Sequence, residues 1–341
     1  MTTEYPAGFD SVDTLEDFMT APDDALIADL AAIDGDILVL GVGGKMGPTL
    51  ARMAKRASPD KRVIGVARFS EAGLERKLQG WDIETIACDL LDRDAVENLP
   101  KCSNVIFMTG RKFGTTGALD LTWAMNVHVP AIVADVFRDS RIVAFSTGNV
   151  YPMVDVAGPP PTERTPAGAI GEYAQSCLGR ERMFEYFTGK HGNAGLNIRL
   201  NYAIDMRYGV LWDIGTKVFE GQAIELTAGH ANVIWQGEAN SRIIRCLRHC
   251  TSPATPINIT GPVIQVREVA QAFGDHFGKT AEFKGTEDTK GWLSDASYSD
   301  TLLGPLRVSV EKMIAWQADW IAAGRENLDK PTAFDSRDGS F

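Results

Sequence analysis

Short apolar runs alternate with amphipathic stretches along the first 204 residues of the chain. Each run is too short for a helix and is bounded by turn residues, which is typical of a strand buried on both faces. The runs are DILVLG (36–41), KRVIGVAR (61–68), IETIACD (83–89), NVIFMTG (104–110), RIVAFSTG (141–148) and LNIRLNYAI (196–204). Strands that alternate with helices form parallel sheets. The pattern therefore predicts a doubly wound α/β sheet that is complete near residue 204.

Amphipathic segments are predicted on either side of this region. PDDALIADLAAI places its leucines and isoleucines on one face, and Asp23 or Asp24 can accept hydrogen bonds from the free N–H groups at its start. After residue 204 the elements become shorter and less regular, and they end in a helical pattern over residues 308–324. We expect a leading helix and a smaller C-terminal α/β lobe.

Charge and cysteine content exclude several classes of protein. The chain has 45 acidic and 34 basic residues, and its net charge of −11 has the wrong sign for a protein that grips nucleic acid. Its five cysteines form no CxxC pair, so neither a disulfide framework nor a metal site is expected. The sequence has neither a secretory signal nor a membrane-spanning run. We therefore expect a cytoplasmic protein with no nucleic-acid or membrane partner.

A glycine cluster, GVGGKMG (41–47), follows the first predicted strand and opens the next helix. Glycines at GxxGxxG spacing let the backbone approach a pyrophosphate, while N–H groups of the helix face its charge. A tight turn alone would also use glycine, but the strand-loop-helix context favours nucleotide binding. Lys45 either contacts the phosphates or is solvated. The candidate cofactor residues of the loop are Gly41, Gly44, Lys45, Met46 and Gly47.

The ends of later strands contribute further cofactor candidates. Arg68 stands where dinucleotide folds usually offer an acidic side chain to the ribose hydroxyls. A guanidinium can bind a 2′-phosphate bidentately, so NADP is favoured over NAD, unless Arg68 is a surface arginine beside a permissive pocket. Asp89 either accepts a hydrogen bond from the adenine amino group or caps the following helix. Other candidates at these strand ends are Leu90, Thr109 and Gly110.

These patterns divide the chain into three segments. Residues 1–34 form an N-terminal extension with the leading helix, residues 35–204 a dinucleotide-binding domain of the Rossmann type, and residues 205–341 a smaller substrate-binding lobe.

The sequence resembles the extended short-chain dehydrogenase/reductases, also called the NAD-dependent epimerase/dehydratase family. The resemblance covers most of the chain, including a C-terminal segment similar to the family's closing one. Its motifs are the glycine spacing, Asp89-Leu90, Asn126-Val127, Ser146 to Tyr151 (STGNVY) and Tyr173. It implies hydride exchange between a nicotinamide and a carbon that bears a hydroxyl or carbonyl group. It also implies that Tyr173 is the acid/base, that Thr147, with Ser146 adjacent, binds the substrate oxygen, and that the protein is a homodimer.

Cys177 occupies the position of the family's lysine, four residues after the tyrosine. In the family this lysine lowers the pKa of the tyrosine, and moving that pKa from about 10 to about 7 requires about 4 kcal/mol. A neutral thiol cannot supply this energy. Arg180, two helical turns after Tyr173, or the charge of an oxidised nicotinamide could do so. We interpret Cys177 itself as a small packing residue at the catalytic centre.

Three further residues are candidates for substrate contact. Lys112 follows the fourth strand, at the sheet edge where ligands bind, although a solvated loop lysine fits the sequence equally well. Asn126 matches a family position that steadies the backbone of the active site. Asn149 follows the Thr147 motif.

We predict an NAD(P)-dependent oxidoreductase or epimerase that acts on a small polar substrate, such as a sugar or nucleotide sugar. The alternative is a dinucleotide-binding sensor or scaffold that has lost hydride transfer, as the thiol at Cys177 suggests. Thr147-Gly148-Asn149 stands where nucleotide-sugar dehydratases of the family carry Thr-Asp-Glu. This difference disfavours a dehydratase and leaves epimerase and reductase open.

Overall fold

The computed structural model describes residues 5–112, 114, 117–329, 332–337 and 339. The strands are β1 (Ile37–Leu40), β2 (Val63–Ala67), β3 (Glu84–Ala87), β4 (Asn104–Phe107), β5 (Arg141–Thr147), β6 (Val154–Asp155), β7 (Gly195–Leu200), β8 (Ala203–Ile204), β9 (Ile224–Glu225), β10 (His230–Asn232), β11 (Ile234–Trp235), β12 (Thr255–Ile259), β13 (Val263–Gln265), β14 (Phe283–Lys284) and β15 (Lys290–Gly291). The helices are α1 (Val12–Met19), α2 (Asp24–Ala31), α3 (Gly47–Ala57), α4 (Leu74–Gly80), α5 (Arg93–Glu97), α6 (Leu119–Trp123), α7 (Val129–Val136), α8 (Gly171–His191), α9 (Val210–Glu220), α10 (Gln236–Arg245), α11 (Val266–Phe277), α12 (Ser297–Leu303) and α13 (Val310–Ala322).

The central sheet confirms the predicted doubly wound α/β fold. Its seven strands are parallel and lie in the order β12-β7-β5-β4-β1-β2-β3. The six strands of this sheet that precede residue 201 coincide with the apolar runs of the sequence, with β7 beginning one residue earlier than its run. The strand order reverses at β1, which pairs with both β2 and β4. In such sheets, ligands bind at the carboxyl ends of the strands beside this reversal.

The expectation that the sheet is complete near residue 204 is wrong by one strand. The seventh strand, β12, comes from residues 255–259 and pairs in parallel with β7. Its sequence, TPINI, includes Pro256 and a buried asparagine, so it lacks the continuous apolar run of the other strands. An edge position tolerates the proline, because one side of the strand has no ladder to complete. The three-segment division of the chain stays a prediction.

Apolar side chains form a core on each face of the sheet, and a third core fills the C-terminal lobe. The third core includes Phe9, Leu15 and Met19, which pack with Trp235 and Trp316. Side chains of the N-terminal segment therefore pack into the core of the C-terminal lobe. Helix α1 was not predicted, although Ser11 and Thr14 form a reciprocal cap at its start.

Two other helices agree with the sequence analysis. The side chain of Asp23 accepts a hydrogen bond from the Leu26 amide and caps α2. Helix α13 lies within the predicted C-terminal segment and buries both of its tryptophans. In the part of the chain that the structure describes, no helix is long and apolar enough to cross a membrane.

Candidate active site

The three glycines of the loop meet different requirements. Gly41 has a φ of 90°, and a Cβ there would lie 2.5 Å from Oγ1 of Thr109. At Gly47 a Cβ would lie 2.2 Å from the carbonyl oxygen of Val42, so glycine lets α3 pack closely against the loop. At Gly44 the nearest atom would be 3.6 Å away, an ordinary contact. Because the fold itself does not require glycine at Gly44, the open space there fits the close approach of a pyrophosphate.

A cleft with two branches lies beside the glycine loop. One branch fits the adenosine half of a dinucleotide. Gly41, Gly44, Arg68, Asp89, Leu90, Thr109 and Gly110 line it together. The side chain of Arg68 is exposed at its rim. The Asp89 carboxylate accepts a hydrogen bond from the Leu91 amide at 3.1 Å, whereas α5 is capped by Asp92. Asp89 is therefore a wall residue of the cleft and does not cap the helix, which corrects that alternative.

The other branch is a cavity of about 300 Å³ between the glycine loop and the C-terminal lobe. It brings together Lys45, Met46, Lys112, Ser146, Thr147, Asn149 and Tyr173. Thr147 is the last residue of β5, so its side chain stands at the carboxyl edge of the sheet. Asn149 follows in a short turn and accepts a hydrogen bond from the Thr147 hydroxyl at 3.0 Å. The sequence candidates on β5, on α8 and after β4 thus share one cavity.

The phenol of Tyr173 hydrogen-bonds with Thr147 and Cys177 at the wall of this cavity. Burial raises the pKa of Tyr173 well above its usual value, and Cys177 raises it further. The guanidinium of Arg180 and the bond with Thr147 lower the same pKa but do not outweigh these effects. Tyr173 is therefore a neutral phenol at physiological pH and can donate a proton.

Helix α8 presents Tyr173, Cys177, Arg180 and Glu181 toward the sheet, because positions i, i+4, i+7 and i+8 share one face. Arg180 is 4% exposed and donates to the carbonyl oxygen of Phe145 and to Oδ1 of Asn126, both at 2.7 Å. A Cβ at Gly110 would lie 2.4 Å from its guanidinium. Glycine in the loop after β4 thus makes room for this buried cation.

Asn126 ties the loop after β4 to α8. It lies in a π-helical turn, Ala124–His128, between α6 and α7. Its Oδ1 accepts a hydrogen bond from the Arg111 amide at 2.7 Å. Its Nδ2 donates to the Arg111 carbonyl oxygen and to the Ser176 hydroxyl, both at 2.9 Å. Its role is to position the loop that carries Lys112, in agreement with the steadying role that the resemblance implies. It does not line the cavity, so it is not placed for substrate contact.

The Ser146 hydroxyl donates to Glu181 at 2.6 Å, although the residue also lines the cavity. Glu181 in turn forms a bidentate ion pair with Arg199 of β7, at 3.0 and 2.7 Å. Both charged side chains are buried. Ser146 is thus held by Glu181, whereas Thr147 is the hydroxyl that bonds Tyr173. The sequence analysis missed this ion pair, since nothing local joins residues of different elements.

The C-terminal segment contributes a wall that the sequence analysis did not anticipate. Thr332 lines the cavity and is 2% exposed, and its carbonyl oxygen accepts a hydrogen bond from Nζ of Lys112 at 3.0 Å. Its hydroxyl bonds Asp213 of α9. Desolvation lowers the pKa of Lys112 to about 8. Lys112 is therefore a cavity residue, which excludes the alternative of a solvated loop lysine.

The C-terminal lobe closes the opposite side of the same cavity. The side chain of Lys45 lies over the ring of Tyr208, with Nζ 3.4 Å from the ring centroid. Other lining residues that the sequence analysis missed are Asn201, Tyr202, Gly209 and Gln236. No motif marks them, because they come from three separate parts of the chain: the connection between β7 and β8, the residue before α9 and the start of α10.

A glycine loop at the reversal of a parallel sheet, with a threonine–tyrosine pair beside it, defines a Rossmann-fold protein of the short-chain dehydrogenase type. Residues 37–204 match the model of the NAD dependent epimerase/dehydratase family. Residues 37–204 therefore form a domain of this family. No curated protein sequence matches it significantly.

Solved structures with the same fold include three nucleotide-sugar enzymes. The first is the dTDP-glucose 4,6-dehydratase DesIV from Streptomyces venezuelae, with NAD and TYD bound (18% identity, 84% of this chain, 97% of that chain, TM-score 0.71). The second is a dTDP-glucose 4,6-dehydratase from Bacillus anthracis in complex with NAD (14% identity, 85% of this chain, 97% of that chain, TM-score 0.73). The third is a UDP-glucuronic acid 4-epimerase from Bacillus cereus with UDP-glucuronic acid and NAD (16% identity, 84% of this chain, 99% of that chain, TM-score 0.71). At these identities the likeness establishes the fold.

Proposed function

We propose that this protein is an NAD(P)-dependent epimerase or reductase that acts at a carbonyl or secondary alcohol of a small polar substrate. The observation that carries the proposal is the hydrogen-bonded pair of Thr147 and Tyr173 in a cavity that adjoins the glycine loop. The clear space at Gly44 and the cleft beside Arg68 fit a dinucleotide. A protein that only binds the cofactor has no chemical need for the threonine–tyrosine pair.

The residues of the two branches of the cleft have different roles in the proposed reaction. Gly41, Gly44 and the start of α3 would hold the pyrophosphate, and Arg68 the adenosine ribose. The nicotinamide, when bound, supplies or accepts hydride. Thr147 and Tyr173 bind the substrate oxygen, and the neutral Tyr173 donates its proton to that oxygen as negative charge develops. Reduction of a carbonyl is therefore the direction that the resting protonation state favours.

Replacing Arg68 with aspartate tests the cofactor preference that we propose. If the guanidinium binds the 2′-phosphate of NADP, Arg68→Asp should weaken NADPH binding about tenfold to hundredfold. Binding of NADH, which lacks this phosphate, should change much less. Fluorescence titration with both cofactors measures the two constants. Arg76→Asp, which makes the same charge change at an exposed position of α4, is the control. Equal losses for both cofactors would remove the NADP assignment.

Restoring the family's lysine tests how Cys177 sets the protonation of Tyr173. An ammonium beside the phenol stabilises tyrosinate, so Cys177→Lys should lower the pKa of Tyr173. In the direction of alcohol oxidation Tyr173 must lose its proton, and activity therefore rises with pH through its pKa. The midpoint of that rise should move to lower pH in Cys177→Lys. Cys177→Ser, which adds no charge, should keep the original midpoint, and an unmoved midpoint in both variants would contradict this account.

We also propose that the protein is a homodimer. Large apolar side chains are exposed on α6, on α8 and at the residue just before α8. They are Leu119, Leu121, Trp123, Ile170 and Tyr186. An apolar surface of this kind is typical of an interface. Sedimentation velocity of the purified protein would measure its mass directly, and a single species of 37.1 kDa would contradict the proposal.

A further inference from the structure

Helix α1 is connected to the surroundings of the glycine loop through one buried carboxylate. Glu16 lies on α1 and is 3% exposed. Nη1 of Arg207 donates to its Oε1 at 2.8 Å, and Nζ of Lys77 lies 2.8 Å from each of its two oxygens. Arg207 belongs to the connection between β8 and α9, and Lys77 belongs to α4. Glu16 therefore joins three segments that are far apart in the sequence.

Glu16, Lys77 and Arg207 line a pocket of about 340 Å³, the charged pocket, together with Gly43 and Gly44 of the glycine loop. Gly44 also lines both branches of the cleft. A pyrophosphate bound at Gly44 would therefore lie next to the charged pocket. No residue of α1, all of which the structure describes, lines either branch of the cleft. Any effect of α1 on the cofactor must pass through this pocket or through the elements that α1 supports.

The connection between β8 and α9 carries the contact onward to the glycine loop. The carboxylate of Asp205 accepts hydrogen bonds from Nε and Nη2 of Arg207 at 3.0 and 2.7 Å, so the guanidinium is held from a second side. The ring of Tyr208, the next residue, packs against Lys45 of the glycine loop, with Nζ 3.4 Å from the ring centroid. A displacement of Arg207 would therefore move a ring that contacts the loop.

The charges of this cluster balance one another. Two acids, Glu16 and Asp205, face two bases, Arg207 and Lys77. Asp205 and Arg207 are 2% and 6% exposed, and separating desolvated charges of opposite sign is strongly unfavourable. A balanced cluster has little attraction for a further ion, so its geometry fits a rigid support better than a binding site for an anion.

We infer that Glu16 is a positioning residue for the dinucleotide: it holds the connection between β8 and α9 against the glycine loop and thereby raises the affinity for the pyrophosphate. The inference rests on the proposed function, since it concerns the same cofactor. It assigns a role in cofactor binding to α1, a helix that precedes the first strand of the sheet.

Replacing Glu16 with glutamine tests this inference. Glutamine keeps the size of the side chain but loses the charge that holds Arg207 and Lys77. Glu16→Gln should weaken binding of NADPH and of NADH by the same factor, about tenfold, because both cofactors carry the same pyrophosphate. Loss of a carboxylate near a pyrophosphate would by itself strengthen the attraction, so weaker binding reports lost positioning. Fluorescence titration measures both constants, at a temperature where circular dichroism shows that the variant is folded.

Asp29→Asn is the matched control for Glu16→Gln. Asp29 lies on α2, is 7% exposed, and pairs with Arg245 at 2.7 Å and with Arg248 at 2.8 Å. It lines neither branch of the cleft nor the charged pocket. Its loss should therefore change the affinity for either cofactor by less than about twofold.

Unchanged or tighter cofactor binding in Glu16→Gln would overturn the inference, and so would an equal loss of affinity in Asp29→Asn. These results leave the proposed function standing, because the unaltered protein still binds the cofactor. An unaltered protein that binds neither NADPH nor NADH would defeat the proposed function and the inference together.

Hydrogen exchange of the unaltered protein covers the case in which Glu16→Gln fails to fold. If α1 supports the cofactor site, NADPH should slow exchange of the α1 amides at least about twofold, as measured by mass spectrometry. Helix α2 lines neither the cleft nor the charged pocket, so its exchange should stay the same. Exchange of α1 that NADPH leaves unchanged, or an equal slowing in α2, would reject the inference.

Discussion

Tyr173→Phe is expected to lower turnover by about 10²- to 10⁴-fold, because the variant loses the proton that the neutral phenol donates to the substrate oxygen. The hydroxyl lies between Thr147 and Cys177, and the ring keeps the packing of α8. Cofactor affinity should therefore remain within about twofold, since phenylalanine removes no group that we place on the dinucleotide. Oxidation of NADPH with a panel of small sugar and sugar-acid carbonyl compounds measures the turnover, and fluorescence measures the binding.

Tyr298→Phe is the matched control, because it makes the same change at a tyrosine of α12 that is 54% exposed. It should leave turnover unchanged. Turnover that persists in Tyr173→Phe would remove the tyrosine from the chemistry. A protein that binds NADPH but oxidises it with none of the panel would favour the alternative of a sensor or scaffold.

Arg199→Met should lower the free energy of unfolding by about 3–5 kcal/mol, the largest stability change that we expect from a single polar substitution here. Arg199 and Glu181 are 5% and 3% exposed, and they form the bidentate ion pair beneath Ser146. Methionine fills a similar volume but leaves the Glu181 carboxylate buried without its cation. Urea denaturation followed by circular dichroism measures the loss.

The double variant Glu181→Leu/Arg199→Met separates the ion pair from mere packing. It removes both charges together, so much of the lost stability should return. A double variant that is no more stable than Arg199→Met would show that packing, such as the contact of the guanidinium with the Tyr151 ring at 4.7 Å, causes the loss.

Sequence analysis succeeded where a feature is written in consecutive residues. The apolar runs of the Rossmann strands must be continuous because both faces of the sheet are covered, so a local pattern is sufficient to find them. The glycine spacing is similar: the three glycines lie within residues 41–47, and the contact that requires Gly47 is with Val42 of the same loop. The Thr147 motif and Tyr173 were found through the family resemblance, and the structure places both in one cavity.

Local pattern failed where an element or a contact depends on distant partners. Strand β12 has a proline and a buried asparagine, and its place is decided by its pairing with β7. Helix α1 is stable because Leu15 and Met19 enter a core formed mainly by residues beyond 204. The local sequence of either segment is too weak a pattern to predict the strand or the helix, because tertiary packing supplies much of its stability.

The sequence by itself determined the parallel α/β fold and the glycine loop, because these depend on short-range periodicity and on motifs of a few residues. The class of chemistry that we propose came from the family resemblance. Only the tertiary structure decided how the active site is charged and closed. Lys112 bonds Thr332 across 220 positions of the chain, Glu181 pairs with Arg199 on a different element, and Arg180 contacts Gly110 in the loop after β4. Such contacts follow from the packing of whole elements against one another, which no local pattern of residues encodes.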